Sequence, residues 1–380
     1  MRRMVAILAL AVLMLASQTA FAAEEPAALT FAFSGYELQR DILTLSNGNI
    51  LVAGDTRMGD KDQKLSDKAS MAWIFCLDPA GQVVWERRDG TPGLINIYAD
   101  PAVLENGNIL VKMHIYKKGD VSSEQWQLVE LTQDGAEVNT IMIADAAATR
   151  ELLPCAQGYF HVTVENEEDY FYTLYDREGK QLWRIPRGEL LRGLDTAIPV
   201  SGGMLLLGRK SKYENDATAL MVDSAGAPLW TRTVSVGESS IFDKTLVNGD
   251  GNLLILGHAS LPATDGLAAW QYFSVCYAPD GEILWQREYE KDEKMYKLED
   301  IMPYGEGYLA VGTSHSDSRL KLLSLDPQGE MLDQWIVRRE DTVYSNPALC
   351  LINGEPWVCA NVQRDGGTAL EFTRAVKAEQ

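Results

Sequence analysis

The residues able to do chemistry sit at the ends of short apolar runs. Arg40 and Asp55, Arg150 and Glu165, and Asp243 and His258 flank such runs at matching distances. The same counting sets Ala99 opposite His114, Asp300 opposite Thr313 and Asn346 opposite Asn361, with Asp195 near Arg209. In an antiparallel hairpin such partners close the open end as ion pairs or hydrogen bonds, each contributing about 0.2–1 kcal/mol. Asp41, Asp100, Glu151 and Asp195 stand at equivalent run starts, with Asp300 close by, and none has an obvious cationic neighbour on its own strand face. Acids converging from several chain segments can hold calcium, a hard cation bound by oxygen, so Asp41, Asp100, Glu151 and Asp195 are candidate calcium ligands. The same rim of acids can receive a lysine- or arginine-rich partner.

A catalytic alternative uses His114 and His258, which titrate near neutrality, as general acid or base beside Asp100 and Asp243. His161 falls in the middle of an apolar run and is expected to pack. The chain has no HExxH, no GxSxG, no P-loop and no GxGxxG leading into a helix. The segment DTRMGDKDQKLSDK, residues 55–68, carries Asp60, Asp62 and Asp67 but lacks the glycine and glutamate that a calcium loop needs at its sixth and twelfth positions. It reads as a solvated loop. With HASLPATDG at 258–266 it makes the longest connections between the second and third strands of a unit.

What positions these residues is a repeat. DPAGQVVW at 78–85 returns as DREGKQLW at 176–183 and DSAGAPLW at 223–230, and the turn glycines Gly81, Gly135, Gly179, Gly226, Gly281 and Gly329 are spaced by 54, 44, 47, 55 and 48 residues. A second turn recurs between them, in SNGNILVAG (46–54), ENGNILVKM (105–113), GDGNLLILG (249–257) and GEGYLAVG (305–312). Weaker copies begin at 156, 201 and 353, which makes seven hairpins. Asn-Gly or Asp-Gly between apolar runs is a strong hairpin signal, on the expectation that both central residues take positive φ.

Each unit divides into four short strands rich in Val, Ile, Leu, Tyr and Trp: in the first, 41–46, 49–54, 71–77 and 83–87. Four antiparallel strands per repeat of this length predict one propeller blade. The recurrent Trp85, Trp183, Trp230 and Trp285 are expected to cover the gaps between adjacent blades. Only three strands follow Arg339, and one spare strand, 29–34, precedes the first unit. The sequence therefore predicts an all-β, seven-bladed β-propeller whose last blade is closed by the N-terminal strand, leaving no open edge around the ring.

Units such as GEGYLAVGTSHSDSRLKLLSLDPQGEMLDQW resemble the quinoprotein-like (PQQ-like) β-propeller repeat, in which a glycine hairpin is followed by an LDxxGxxxW turn. The resemblance covers nearly all of the chain after residue 22. It implies a propeller and, in many relatives, a non-enzymatic protein-binding scaffold. The enzymes of that superfamily use eight blades, a calcium-bound quinone and often adjacent cysteines, whereas this chain has no Cys-Cys pair, so no quinone cofactor is expected.

Residues 1–22 read as a cleavable signal peptide, with Arg2 and Arg3 before an apolar run and Ala20-Phe21-Ala22 at the expected cleavage point. Residues 23–380 are then a single domain, secreted or periplasmic, with no membrane span. Losing the leader takes away two arginines and moves the net charge from −20 to −22, a field that repels nucleic acid. Cys76, Cys155, Cys276, Cys350 and Cys359 form no CxxC and are expected as buried thiols, the alternative being a Cys350–Cys359 bridge. Taken together, the sequence predicts a monomeric binding or scaffolding module for a protein or surface glycan, the alternative being a carbohydrate-active enzyme (lyase or hydrolase) at the same mouth.

Overall fold

A computed structural model describes residues 28–31, 37–57, 69–143, 148–165, 169–186, 191, 193–209, 215–264, 267–292, 296–314, 319–337, 342–364 and 367–375. Seven four-stranded antiparallel sheets make seven blades of a ring, and no helix occurs among the described residues. Among the described residues no helix is long and apolar enough to cross a membrane. In each blade strands a to d run from the central axis outward. The inner strands a are Glu37–Thr44, Ile95–Val103, Thr149–Cys155, Gly193–Val200, Ser239–Val247, Tyr296–Tyr304 and Val343–Ile352. Blade 7 takes its outer strand from the N-terminus: Ala28–Phe31 pairs antiparallel with Gly367–Arg374, Leu29 opposite Phe372. Residues 1–22, expected as a signal peptide, and the aspartates at 60, 62 and 67 lie outside the described residues.

The recurring turn and tryptophan form one device. The Asp78 carboxylate accepts the N–H groups of Ala80 and Gln82, both at 2.9 Å, and Gly81 takes φ of 81° to complete the turn between strands c and d. Asp176, Asp223 and Asp326 repeat the arrangement. The glycine is required twice over, because the tryptophan of the preceding blade lies against it. A Cβ on Gly135 would come within 2.7 Å of the Trp85 ring, one on Gly281 within 2.7 Å of Trp230, and one on Gly329 within 2.3 Å of Trp285. Trp85 Nε1 donates to Gln133 O at 2.8 Å and Trp230 Nε1 to Pro279 O at 3.0 Å, so each ring is also tied to the neighbouring turn. At the last seam Leu29 takes the place of the tryptophan, packing on Gly81 beside Ile352.

The first hairpins differ from expectation. Asn47, Asn106 and Asp250 do not adopt positive φ; only the following glycine does, at 82°, 83° and 79°. Gly48 N–H donates to Leu45 O while Asn47 Oδ1 accepts from Asn49 N–H at 2.9 Å, so the turn closes on three residues and needs a single left-handed position. Only Asn353-Gly354, with φ of 54° and 75°, has both central residues left-handed. The expected 258–266 loop is also absent: strands b and c of blade 5 run as Leu253–Thr264 and Leu267–Tyr277, paired out to Thr264 opposite Leu267. All five cysteines are buried free thiols.

Candidate functional site

Every inner strand carries a β-bulge at the same height. The register shifts between Gln39 and Asp41, Ala99 and Ala102, Thr149 and Glu151, Leu194 and Thr196, Phe242 and Lys244, Leu298 and Asp300, and Ser345 and Ala348. In blades 2 and 7 the bulge is an Asp100-Pro101 or Asn346-Pro347 pair, with φ of 49° at Asp100 and 50° at Asn346. Proline disfavours the right-handed helical region for the residue before it, and Asp and Asn are the side chains that best tolerate the left-handed one. A bulge re-aims side chains, and it sorts the mouth residues into two sets.

In blades 1, 5 and 6 the bulged residue, Arg40, Asp243 or Glu299, turns back toward strand b of its own blade. Arg40 donates from Nε and Nη2 to Asp55 Oδ1 at 3.1 and 3.0 Å, and Arg57 Nε reaches Asp55 Oδ2 at 2.7 Å. His258 Nδ1 lies 2.8 Å from Asp243 Oδ2. These two expected pairs are present. Three others differ: Thr313 donates to Glu299 at 3.0 Å rather than to Asp300, because Glu299 occupies the bulge; Glu165 pairs with Arg184 rather than Arg150; and Asn361 and Asn346 both turn to Gln39 of blade 1. Asn361 accepts the Gln39 N–H at 2.7 Å and donates to Gln39 O at 2.8 Å, a second tie across the closure.

The residue that re-enters the ladder after the bulge faces the axis: Asp41, Glu151, Thr196, Lys244, Asp300 and Ala348, with Asp100 joining them from its wider bulge. Asp300 therefore belongs fully to the ring of acids. Asp195 sits in the bulge one position earlier, at the register of Arg40, and its side chain lies outside the described residues. The cations that meet these acids come from other strands. Lys112, from strand b of blade 2, bridges Asp100 and Glu151, the latter at 3.4 Å, and Lys244 lies 3.5 Å from Asp300. Asp41 accepts the Asp100 N–H at 2.9 Å and Asp300 the Leu349 N–H at 2.7 Å, so each carboxylate also ties its blade to the next. No group of three or more metal-ligating side chains occurs among the described residues.

Charge interactions across the axis tune these groups. Burial alone would lower the Lys112 ammonium, but Asp100 and Glu151 hold it above its ordinary range, and Asp300 chiefly does the same for Lys244. Burial and repulsion from Asp100 raise the Asp41 carboxyl, against the opposing Asp100 N–H and the two lysines. A carboxyl raised in the folded state binds its proton more tightly there than in the unfolded chain. Its ionisation then costs stability, a cost absent below the unfolded pKa near 4 and complete above the folded value. Asp41→Asn keeps an acceptor for the Asp100 N–H and removes the charge. It should melt about 1–3 °C above the wild type at pH 7, with the gap closing below about pH 4. Thermal melts of the two proteins across that range measure it.

The histidines are placed differently from each other. His258 and Asp243 side chains are 6% and 2% exposed, sealed behind the inner strands, and burial raises the Asp243 carboxyl. His114 does not meet Asp100. Its ring stacks on Trp126 at 3.9 Å and on Tyr116 at 4.6 Å, with Nε2 2.8 Å from Glu124. Burial holds this imidazole below its ordinary range, with Glu124 opposing and Lys112 adding to the effect. His161 packs as expected, buried with Nε2 2.9 Å from Thr149 Oγ1. Sequence counting missed Lys112, Lys244 and Glu299. Lys112 and Lys244 were legible only as lone cations inside apolar runs.

A seven-bladed β-propeller with a charge-paired mouth is thus the class of protein defined here. No protein-family model and no curated protein matches the sequence. Among solved structures, the chain resembles the β-propeller domain of Cps50 (Swd1) from Myceliophteria thermophila at a TM-score of 0.57, with 8% identity over 92% of this chain and 100% of that one. It resembles the Kuenenia stuttgartiensis hydrazine synthase at 0.55, with 10% identity over 91% of this chain and 100% of that one. It resembles the polysaccharide lyase Uly1 at 0.51, with 10% identity over 94% of each chain. At these identities the likeness is one of fold.

Proposed function

We propose that the protein is an exported binding or scaffolding module that receives a protein or surface glycan at its mouth. One observation carries this reading: the mouth carboxylates and both candidate catalytic histidines are already engaged within the protein. Lys112 and Lys244 serve Asp100, Glu151 and Asp300; Asp41 holds a backbone N–H; His258 is sealed with Asp243; and His114 is clamped between two rings. General acid–base catalysis needs a titrating group within reach of substrate. A rigid pattern of fixed charges suits recognition instead. The two ammonium groups also stand among the carboxylates where calcium would have to enter, so the reading requires no metal, and it requires no quinone.

The similarity of the repeat to the quinoprotein-like scaffold type supports the same reading, and the leader-like first 22 residues support export. The fold neighbours, which include a β-propeller domain of Cps50 and a polysaccharide lyase, show how one scaffold carries different sites, so function is argued from the mouth. The test is affinity electrophoresis in gels containing neutral and uronate-bearing polysaccharides, and crosslinking to envelope extracts, each alongside assays for new reducing ends and unsaturated sugar products. Retention or a discrete crosslink without turnover is expected, and both should survive His114→Ala. Turnover that falls about 100-fold in His114→Ala would establish the enzyme reading instead.

A further inference from the structure

The seam between blades 2 and 3 is unlike the other six. His161 stands on strand b of blade 3, on the face turned toward the preceding blade. The same register position holds Val52, Val111, Leu206, Ile255, Ala310 and Val358 in the other blades. Its partner on strand c is Thr173, where the corresponding partners in blades 1, 2, 4, 5 and 6 are Phe75, Val129, Leu220, Val275 and Leu323, and blade 7 has Thr373. Blade 2 lacks the seam-filling tryptophan, Asn139 occupying the register position of Trp85, as Asp333 does in blade 6. The result is a cavity of about 710 Å³, open at one side, between the outer strand of blade 2 at Met142 and Ile143 and the polar face of blade 3.

Its lining has a consistent chemistry. At one end the half-buried Tyr175 ring stacks on the buried Tyr159 at 4.8 Å and 13°. His161, Thr163 and Thr173 supply an imidazole and two hydroxyls in the middle, and the Glu165–Arg184 ion pair, with Arg184 seated 3.8 Å over Phe171, closes the other end. The seam keeps an apolar cluster of Leu104, Leu110, Leu128, Leu152 and Tyr159, and beside it His161 and Thr173 stand at positions that are apolar in most of the other blades. Small-molecule sites are cavities of about 300–1,000 Å³ in which a few placed polar groups orient the ligand. An aromatic face, hydroxyl and imidazole partners, and a carboxylate–guanidinium pair together match the CH-rich faces and the hydroxyl edges of a sugar ring.

We propose that this seam is a binding site for a small saccharide, a mono- or disaccharide, separate from the mouth. The seam's own consensus supplies the control. His161→Val with Thr173→Val installs the apolar types of the other seams and should fold at least as stably as the wild type, which a thermal melt verifies. Wild-type protein is titrated by calorimetry and saturation-transfer NMR with glucose, galactose, mannose, N-acetylglucosamine and their β-linked disaccharides, with acetate and glycine as non-sugar probes. At least one sugar is expected to bind, and its affinity should fall about tenfold or more in the double variant. Lys244→Ala at the mouth should leave it unchanged. No binding by any of the sugars at 10 mM or so, equal binding by the melt-verified double variant, or binding of acetate or glycine alone would each overturn the proposal.

Discussion

A chain lacking residues 23–35 should melt roughly 5–10 °C below the full-length protein. The deletion removes the outer strand of blade 7, and with it Leu29 and Phe31 from the core shared by blades 7 and 1. Phe31 lies 5.4 Å from Phe372 and 5.8 Å from Phe75, and Leu29 is the only filler over Gly81 from that blade's outer strand. Two side chains of this size are worth about 3–5 kcal/mol when buried, and a domain this large loses about 2 °C per kcal/mol. The ring would stay closed at the axis, because Asn361 still holds both backbone groups of Gln39. The loss is therefore a large shift and not complete unfolding. Strand Gly367–Arg374 would be left with a free edge that invites intermolecular pairing, so size-exclusion chromatography should show association. Scanning calorimetry checks the shift; an unchanged melting temperature with a monomeric profile would mean that the N-terminal strand does not close the ring.

The architecture was legible in the sequence because its signals are local. Asp78 and Gly81 fix a turn within four residues, Trp85 follows at a constant offset, and seven copies with one strand short at the end dictate a borrowed strand. The mouth was legible only in part. Arg40–Asp55 and Asp243–His258 could be paired by counting, since both lie in one hairpin. Counting failed where a single-residue bulge shifts the frame: it gave Thr313 to Asp300, although Glu299 in the bulge accepts its hydroxyl, and aligned Asp195 with Asp41 although it belongs with Arg40. A bulge has no fixed residue signature except where proline forces it, as at Asp100-Pro101. Lys112 and Lys244 were missed for a different reason. Lys244 meets Asp300 of the next blade, and Lys112 reaches Glu151 of the next blade as well as Asp100 of its own; no pattern within one repeat reports a neighbour across a seam. The seam cavity around His161 was hidden likewise, since a histidine inside an apolar run looks like core until its register is set beside the other six blades.

Asp55→Ala should cost about 3–5 kcal/mol, which makes it the most damaging single change at the mouth. Asp55 is fully buried and receives two guanidinium groups, Arg57 on one oxygen and Arg40 on the other, with the Arg57 side chain 7% exposed. Truncating the carboxylate leaves two positive charges facing each other at the closure of blade 1, one of them out of reach of bulk water. Asp55→Asn keeps the shape and one acceptor oxygen but none of the charge, so it should fall between the wild type and the alanine variant. The decisive comparison is Asp55→Leu combined with Arg57→Leu. If the alanine variant suffers from stranded charge rather than from lost packing, removing both members of the buried pair should recover most of the stability, because the charge that needed neutralising has gone with its partner. Urea unfolding of the three proteins at matched ionic strength measures the order. A double variant no more stable than Asp55→Ala would show that Asp55 acts through packing and through Arg40, and that the buried pair with Arg57 carries little of the closure.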